Sequence, residues 1–395
     1  MTVYAIWPAV VAVAFALLLT YLPIFHRVGF NSGSGLRVNA IDGLRGFLAL
    51  AVALHHSVIY YQYIRSGTWT VPPSRFYTLI GQIGVAYFFM VTGYLFWGKI
   101  VRAKGALDFP NLMVGRLFRL GPVYVFTISI AIAILYLKSG ATLHVPASRY
   151  VMEVAQNLAL GVLPLVEMNG TTGIIGVTAG VTWTLQYEWL FYVMLPVLAI
   201  FARAQSWHLP AAVFALALAV SLAFIDFNAR FAIYSFFGCG MVCASLQERR
   251  LVLKLSPVAA SLAIIGILVI VGMSYETAYR PEVSILLGTS FYFMLGGGTI
   301  FGLLVAKPSI KLGELSYGIY LMQGVALFAV FSIAPLKAFA LESDANYWLA
   351  IFGALSGLVF ASLAVHILIE RPGIELGRKI RRAKAFIPIT LNETQ

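Results

Sequence analysis

A chain of 395 residues that is 61% hydrophobic, only 11% charged and has a net charge of +12 departs far from globular usage, where charged residues approach about a quarter. Long apolar runs without alternation, such as Ile128 to Leu137 and Ser261 to Gly272, exclude the alternating strands of a β-barrel and predict an all-α polytopic membrane protein. The Lys and Arg residues cluster between these runs, so the positive-inside rule accounts for the charge better than nucleic-acid binding does.

Spans of about twenty apolar residues predict eleven transmembrane helices, at roughly 4–25, 40–62, 77–98, 119–138, 181–202, 208–226, 230–247, 256–274, 283–306, 313–334 and 347–369. The first lacks the basic residues that precede the apolar core of a signal peptide, and it reads as a retained helix. One alternating set of loops carries 20 of the 27 Lys and Arg residues, which places the N-terminus outside and the C-terminus in the cytoplasm.

Within the second span, Arg45 and His56 lie eleven positions apart. That interval puts both on one helical face about 16 Å apart, with Arg45 near the cytoplasmic surface and His56 in the outer half of the bilayer. An ionisable pair inside a membrane helix reads by default as functional, facing a bundle interior or an aqueous cavity. The plainer alternative is that Arg45 snorkels to lipid phosphate while His56 ties to a neighbouring helix. Arg116 and Arg119, three apart at the same surface, are either positive-inside anchors or, with Arg45, a guanidinium mouth suited to phosphate.

The segment from about 139 to 180 is the longest external piece, a place to look for acceptor contacts, with 150–165 read as an amphipathic or re-entrant helix. The fifth span brings Trp183, Thr184, Tyr187 and Glu188 in from the outside. Glu188 reaches about the depth of His56, so the two side chains are placed to pair, the carboxylate supporting the imidazole as a proton acceptor; a structural Glu–His or Glu–Arg tie is the alternative. Cys239 and Cys243 read as buried packing residues, and no metal-ligand spacing occurs. Ser316, Tyr320 and Gln323 form a polar stripe at i, i+4 and i+7 that faces the bundle, either lining a cavity or tying helices. His55 points away from His56, and His366 is solitary in the last span. The basic tail after Arg371 is expected to lie against anionic lipid.

These motifs, in order, resemble the membrane acyltransferase family 3, which includes bacterial O-antigen and exopolysaccharide O-acetyltransferases. The resemblance rests on Ile-Asp-Gly-Leu-Arg45-Gly with His56, Gly84 to Tyr94 including Thr92, Arg116-x-x-Arg119-x-x-Pro122, Thr182-Trp183-Thr184-Leu-x-x-Glu188, Leu-Ser316-Tyr317-Gly-Ile-Tyr320-Leu and Glu370-Arg371-Pro372. It implies a ten-helix acyltransferase domain at 39–372, preceded by an additional helix and linker at 1–38 and followed by a basic cytoplasmic tail at 373–395. It further implies an inner-membrane O-acyltransferase that moves acetyl from cytosolic acetyl-CoA to a hydroxyl of an extracytoplasmic glycan or lipid-linked saccharide, without a metal. Arg45, Arg116 and Arg119 would bind the CoA phosphates. His56 with Glu188 would serve as base or acyl relay, and Thr92, Trp183, Thr184, Tyr187, Ser316, Tyr320 and Gln323 would line the substrate path. Thr92 replaces the family's frequent Ser, and Gln323 its frequent His. The competing expectation is a transporter or flippase of a polar lipid-linked substrate with His56 and Glu188 as a proton relay; either protein would contact membrane lipid and is compatible with a homo-oligomer.

Overall fold

A computed structural model of the protein describes residues 2–26, 39–226 and 229–385. Among the described residues there is no strand beyond one isolated bridge between Met168 and Thr171. Eight helices are long and apolar enough to cross a bilayer, and two shorter apolar helices accompany them. The protein is a helical membrane bundle.

In chain order the helices are α1 (Trp7–Leu19), α2 (Asn39–Ser66), α3 (Arg75–Arg102), α4 (Phe109–Lys138), α5 (Ala147–Asn157), α6 (Ile174–Thr178), α7 (Trp183–Phe201) and α8 (His208–Asp226). They continue as α9 (Ala229–Glu248), α10 (Pro257–Ser274), α11 (Pro281–Leu295), α12 (Lys307–Phe331), α13 (Ala334–Glu342), α14 (Asp344–Val365) and α15 (Arg371–Ala385). A π-helical turn, His366–Glu370, joins α14 to α15.

Several boundaries differ from expectation for local reasons. The first helix stops at Leu19 instead of running to 25, because Pro23 opens a separate 3-10 turn. The span expected at 283–306 ends at Leu295, where Gly297 and Gly302 adopt φ of +110° and +86° that side chains with a Cβ rarely take. Helix α4 starts well before 119, because the Asp108 carboxylate accepts from the Asn111 amide at 3.1 Å and Pro110 suits the first turn. Helix α5 stops at Asn157, short of the expected 150–165, and α13 lies outside the expected spans. The tail, as far as it is described, forms α15, packed on α4 with Gly373 and Gly377 against Phe118, and residues 386–395 lie outside the described residues.

Helices α2 and α12 cross closely enough to build the site. A Cβ on Gly313 would lie 1.7 Å from the Asp42 carbonyl oxygen, and one on Gly46 2.7 Å from the Gly313 amide nitrogen. Small residues of this kind let helix backbones approach in a medium where apolar burial gives helices little reason to associate. The first helix is fastened at both ends. Asp344 accepts from the Val3 amide at 2.9 Å, and the Lys311 ammonium donates to the Thr20 carbonyl at 2.8 Å.

Gly313→Ala is expected to cost about 1–3 kcal/mol by forcing α2 and α12 apart. Gly266→Ala, where nothing lies within 4 Å, is expected to stay within about 0.5 kcal/mol of wild type. Thermal unfolding of the two purified variants in detergent compares them directly.

Candidate active site

One large cavity, about 680 Å³, is driven into the bundle from the end that carries the arginines. Helix α2 contributes Arg45, α3 contributes Lys99 and Arg102, and α4 contributes Arg116 and Arg119. Arg371, Arg378 and Arg381 enter from α15, so the tail helix helps to wall the mouth. The carboxylates of Asp42, Glu188, Glu314, Glu370 and Glu375 also face the cavity, fewer than the basic groups. The mouth therefore favours an anion, and the planar guanidinium fork suits phosphate oxygens in particular.

Positions along the helices order the wall. Near the mouth, Arg102 bonds Glu248 at 2.6 Å. Deeper, Arg116 stacks on Phe96 with its guanidinium carbon 4.7 Å from the ring centroid, and it faces Tyr192 and Glu188. Ser316, fully buried on the wall, has a hydroxyl oxygen without a partner among the described residues. At the blind end the Thr184 and Tyr320 hydroxyls bond at 2.9 Å, and Phe88 sets its ring edge-on to Tyr320 at 5.8 Å between centroids. Thr92 lines the same wall.

His56 lies beyond that closure, outside the cavity lining, with only 9% of its surface exposed. Its Nδ1 meets the Gln323 Oε1 at 3.0 Å, while the Gln323 Nε2 donates to the Tyr320 carbonyl at 2.7 Å. Because the amide nitrogen is already donating, Oε1 must accept, and His56 must carry its proton on Nδ1. The lone pair is left on Nε2. Tyr320, three residues before Gln323 on α12, thus contributes to both the cavity floor and the histidine's support.

The sequence-derived candidates divide into three places. Arg45, Arg116, Arg119, Thr92, Thr184, Glu188, Ser316 and Tyr320 line the cavity; His56 and Gln323 sit behind its end. Trp183 and Tyr187 pack edge-on at 5.7 Å on another face of α7, with Tyr279 and Tyr234. The expected His56–Glu188 pair does not form. The Glu188 carboxylate accepts from Tyr192, one turn along α7, at 2.7 Å and turns toward Arg116, Arg119 and Arg45. His366 is not solitary either: its Nδ1 bonds Glu370 at 2.8 Å across the π turn, and both line the cavity. The i, i+4 spacing of His366 and Glu370, and the recurrence of Arg371, Ile374, Arg378 and Arg381 on one face, were the signals available in the sequence. Cys239 and Cys243 are buried free thiols, and the described residues contain no cluster able to hold a metal.

Fold and site together define a helical membrane protein with a basic cavity closed by Thr184 and Tyr320 and an imidazole of fixed tautomer behind that closure. The chain matches the family model described as an acyltransferase domain over residues 38–367, and it belongs to that family of membrane acyltransferases. No curated protein and no solved structure matches it.

Removing only the amide at Gln323 strands the His56 N–H in an apolar interior. Gln323→Leu is expected to lose about 1–2 kcal/mol, and the double variant His56→Leu/Gln323→Leu to regain most of it. Thermal midpoints of the three proteins in detergent measure the coupling.

Proposed function

We propose that the protein moves an acyl group, acetyl being the expected one, from cytosolic acyl-CoA to a hydroxyl of an extracytoplasmic glycan or lipid-linked saccharide. In this reading it resides in a bacterial inner membrane with its basic end in the cytoplasm, as the excess of Lys and Arg in that set of loops supports. The observation that carries the proposal is the succession of a basic cavity, the Thr184–Tyr320 closure and then His56.

The donor's phosphates are held by Arg45, Arg116 and Arg119, with Glu188 balancing part of their charge and limiting how they spread. Ser316 offers an unspent hydroxyl to the arm of the donor. Passage of the thioester beyond the cavity requires Tyr320 to swing away from Thr184. His56 Nε2 then accepts the proton of the acceptor hydroxyl as its oxygen attacks the thioester carbon. Gln323 keeps the lone pair on the productive nitrogen, a positioning role played through the imidazole. This arrangement does not require a second imidazole at position 323.

His56→Ala is expected to abolish acetyl transfer from labelled acetyl-CoA while membrane insertion is retained and thermal stability falls by only about 1–3 kcal/mol for the lost Gln323 bond; full transfer by this variant would contradict the proposal. Arg116→Ala/Arg119→Ala is expected to weaken acetyl-CoA binding about tenfold or more and to flatten its salt dependence. Titration calorimetry at two ionic strengths reads both effects, and unchanged affinity would remove the phosphate assignment.

A further inference from the structure

His56 is closed from the side opposite the cavity as well. The segment 67–74, which joins α2 to α3, carries Trp69, and the indole lies tilted across the imidazole at 32° with 5.9 Å between centroids. Trp69 also meets Tyr60 and Tyr63 edge-on, at 6.0 and 5.6 Å. Tyr60 in turn stacks on Phe331 at the end of α12. The outer edge of this aromatic group is built to fit the long external segment, because a Cβ on Gly176 of α6 would lie 2.5 Å from the Tyr63 hydroxyl. Trp69 is half-buried while its neighbours Thr68, Thr70 and Val71 are exposed, so it is the one large side chain this short segment turns inward.

An indole in that place does two physical things. It excludes water from the imidazole, and it offers a broad flat face, bearing a negative quadrupole, beside that ring. The face suits the C–H side of a pyranose ring, whose hydrogens carry partial positive charge and whose hydroxyls project from the rim.

We propose that Trp69 is the acceptor-side lid of His56 and the surface on which the acceptor sugar packs. The inference rests on the transfer reading above. At rest Trp69 covers the imidazole. When a saccharide displaces it, the indole flanks the sugar ring and aims a hydroxyl at Nε2. In the productive reaction the hydroxyl oxygen bonds to the acyl carbon and the C–S bond breaks. The electron pair leaves with the CoA sulfur, and His56 passes the hydroxyl proton to that thiolate. Water reaching the same spot gives the same balance with acetate and CoA as products, so the lid decides between transfer and waste.

The test uses the full-length protein in liposomes with acetyl-CoA as donor and a set of p-nitrophenyl hexopyranosides as acceptor probes. Release of CoA thiol without acceptor and acetylation of the hexosides are measured separately. Trp69→Ala is expected to raise acceptor-free CoA release at least about tenfold. It is also expected to raise the hexoside KM about two- to tenfold with the acetyl-CoA KM unchanged. Trp69→Phe should restore both toward wild type, which separates loss of the lid from misfolding. His56→Ala/Trp69→Ala should return CoA release to background. If the wild type acetylates a hexoside but Trp69→Ala changes neither the release nor the hexoside KM, the lid is overturned and the transfer reading stands. The lid is also overturned if the added release persists without His56. If the wild type transfers nothing to any acceptor, both fall.

Discussion

A polar group carried into hydrocarbon must find its partner inside the protein, and the site is organised around how one such group does so. His56 reaches Gln323 across the α2–α12 crossing, and the two backbones come close enough only because Gly46 and Gly313 present no Cβ. That single hydrogen bond fixes the imidazole tautomer, anchors α12 to α2 at depth, and through the Tyr320 carbonyl connects the histidine to the floor of the cavity. The proposed chemistry and the helix packing share one set of contacts.

The same economy explains why the arginines and the imidazole are kept apart. Guanidinium groups tolerate burial when they are paired or stacked, and here Phe96, Tyr192 and Glu188 surround Arg116. Had Glu188 been spent on His56, the arginine cluster would have faced the cavity without that carboxylate. Thr184 with Tyr320 on one side and Trp69 on the other leave His56 in a dry compartment between a charged mouth and an aromatic cover. Dry surroundings strengthen every electrostatic interaction the histidine makes.

Much of this was legible in the residues. The apolar spans gave the helical bundle, and of the two residues eleven apart on α2, Arg45 lines the cavity and His56 lies outside its lining. Depth counting failed for Glu188, because it sets how far a side chain lies along a helix and not which way it turns. The rotation of α7 comes from packing against α3 and α9, through contacts such as those of Tyr187 with Phe89 and Tyr234, that no local spacing encodes. Trp69 escaped notice because it lies between spans, where a lone aromatic has no periodicity to mark its partner. Gln323 stood out as a departure from the family pattern, but its value depends on the Tyr320 carbonyl holding its amide, a detail of tertiary geometry. The span expected at 283–306 stops short at Leu295, and only the backbone conformations of Gly297 and Gly302 show why.

The central claim is that one path runs from the basic mouth past Thr184 and Tyr320 to His56. A structure of the protein with acetyl-CoA bound tests it most directly. The account predicts density for the phosphates against Arg45, Arg116 and Arg119, with Tyr320 displaced and the thioester carbon next to the His56 Nε2. Donor density lying outside the cavity, or inside it with the thioester turned toward the mouth, would contradict it.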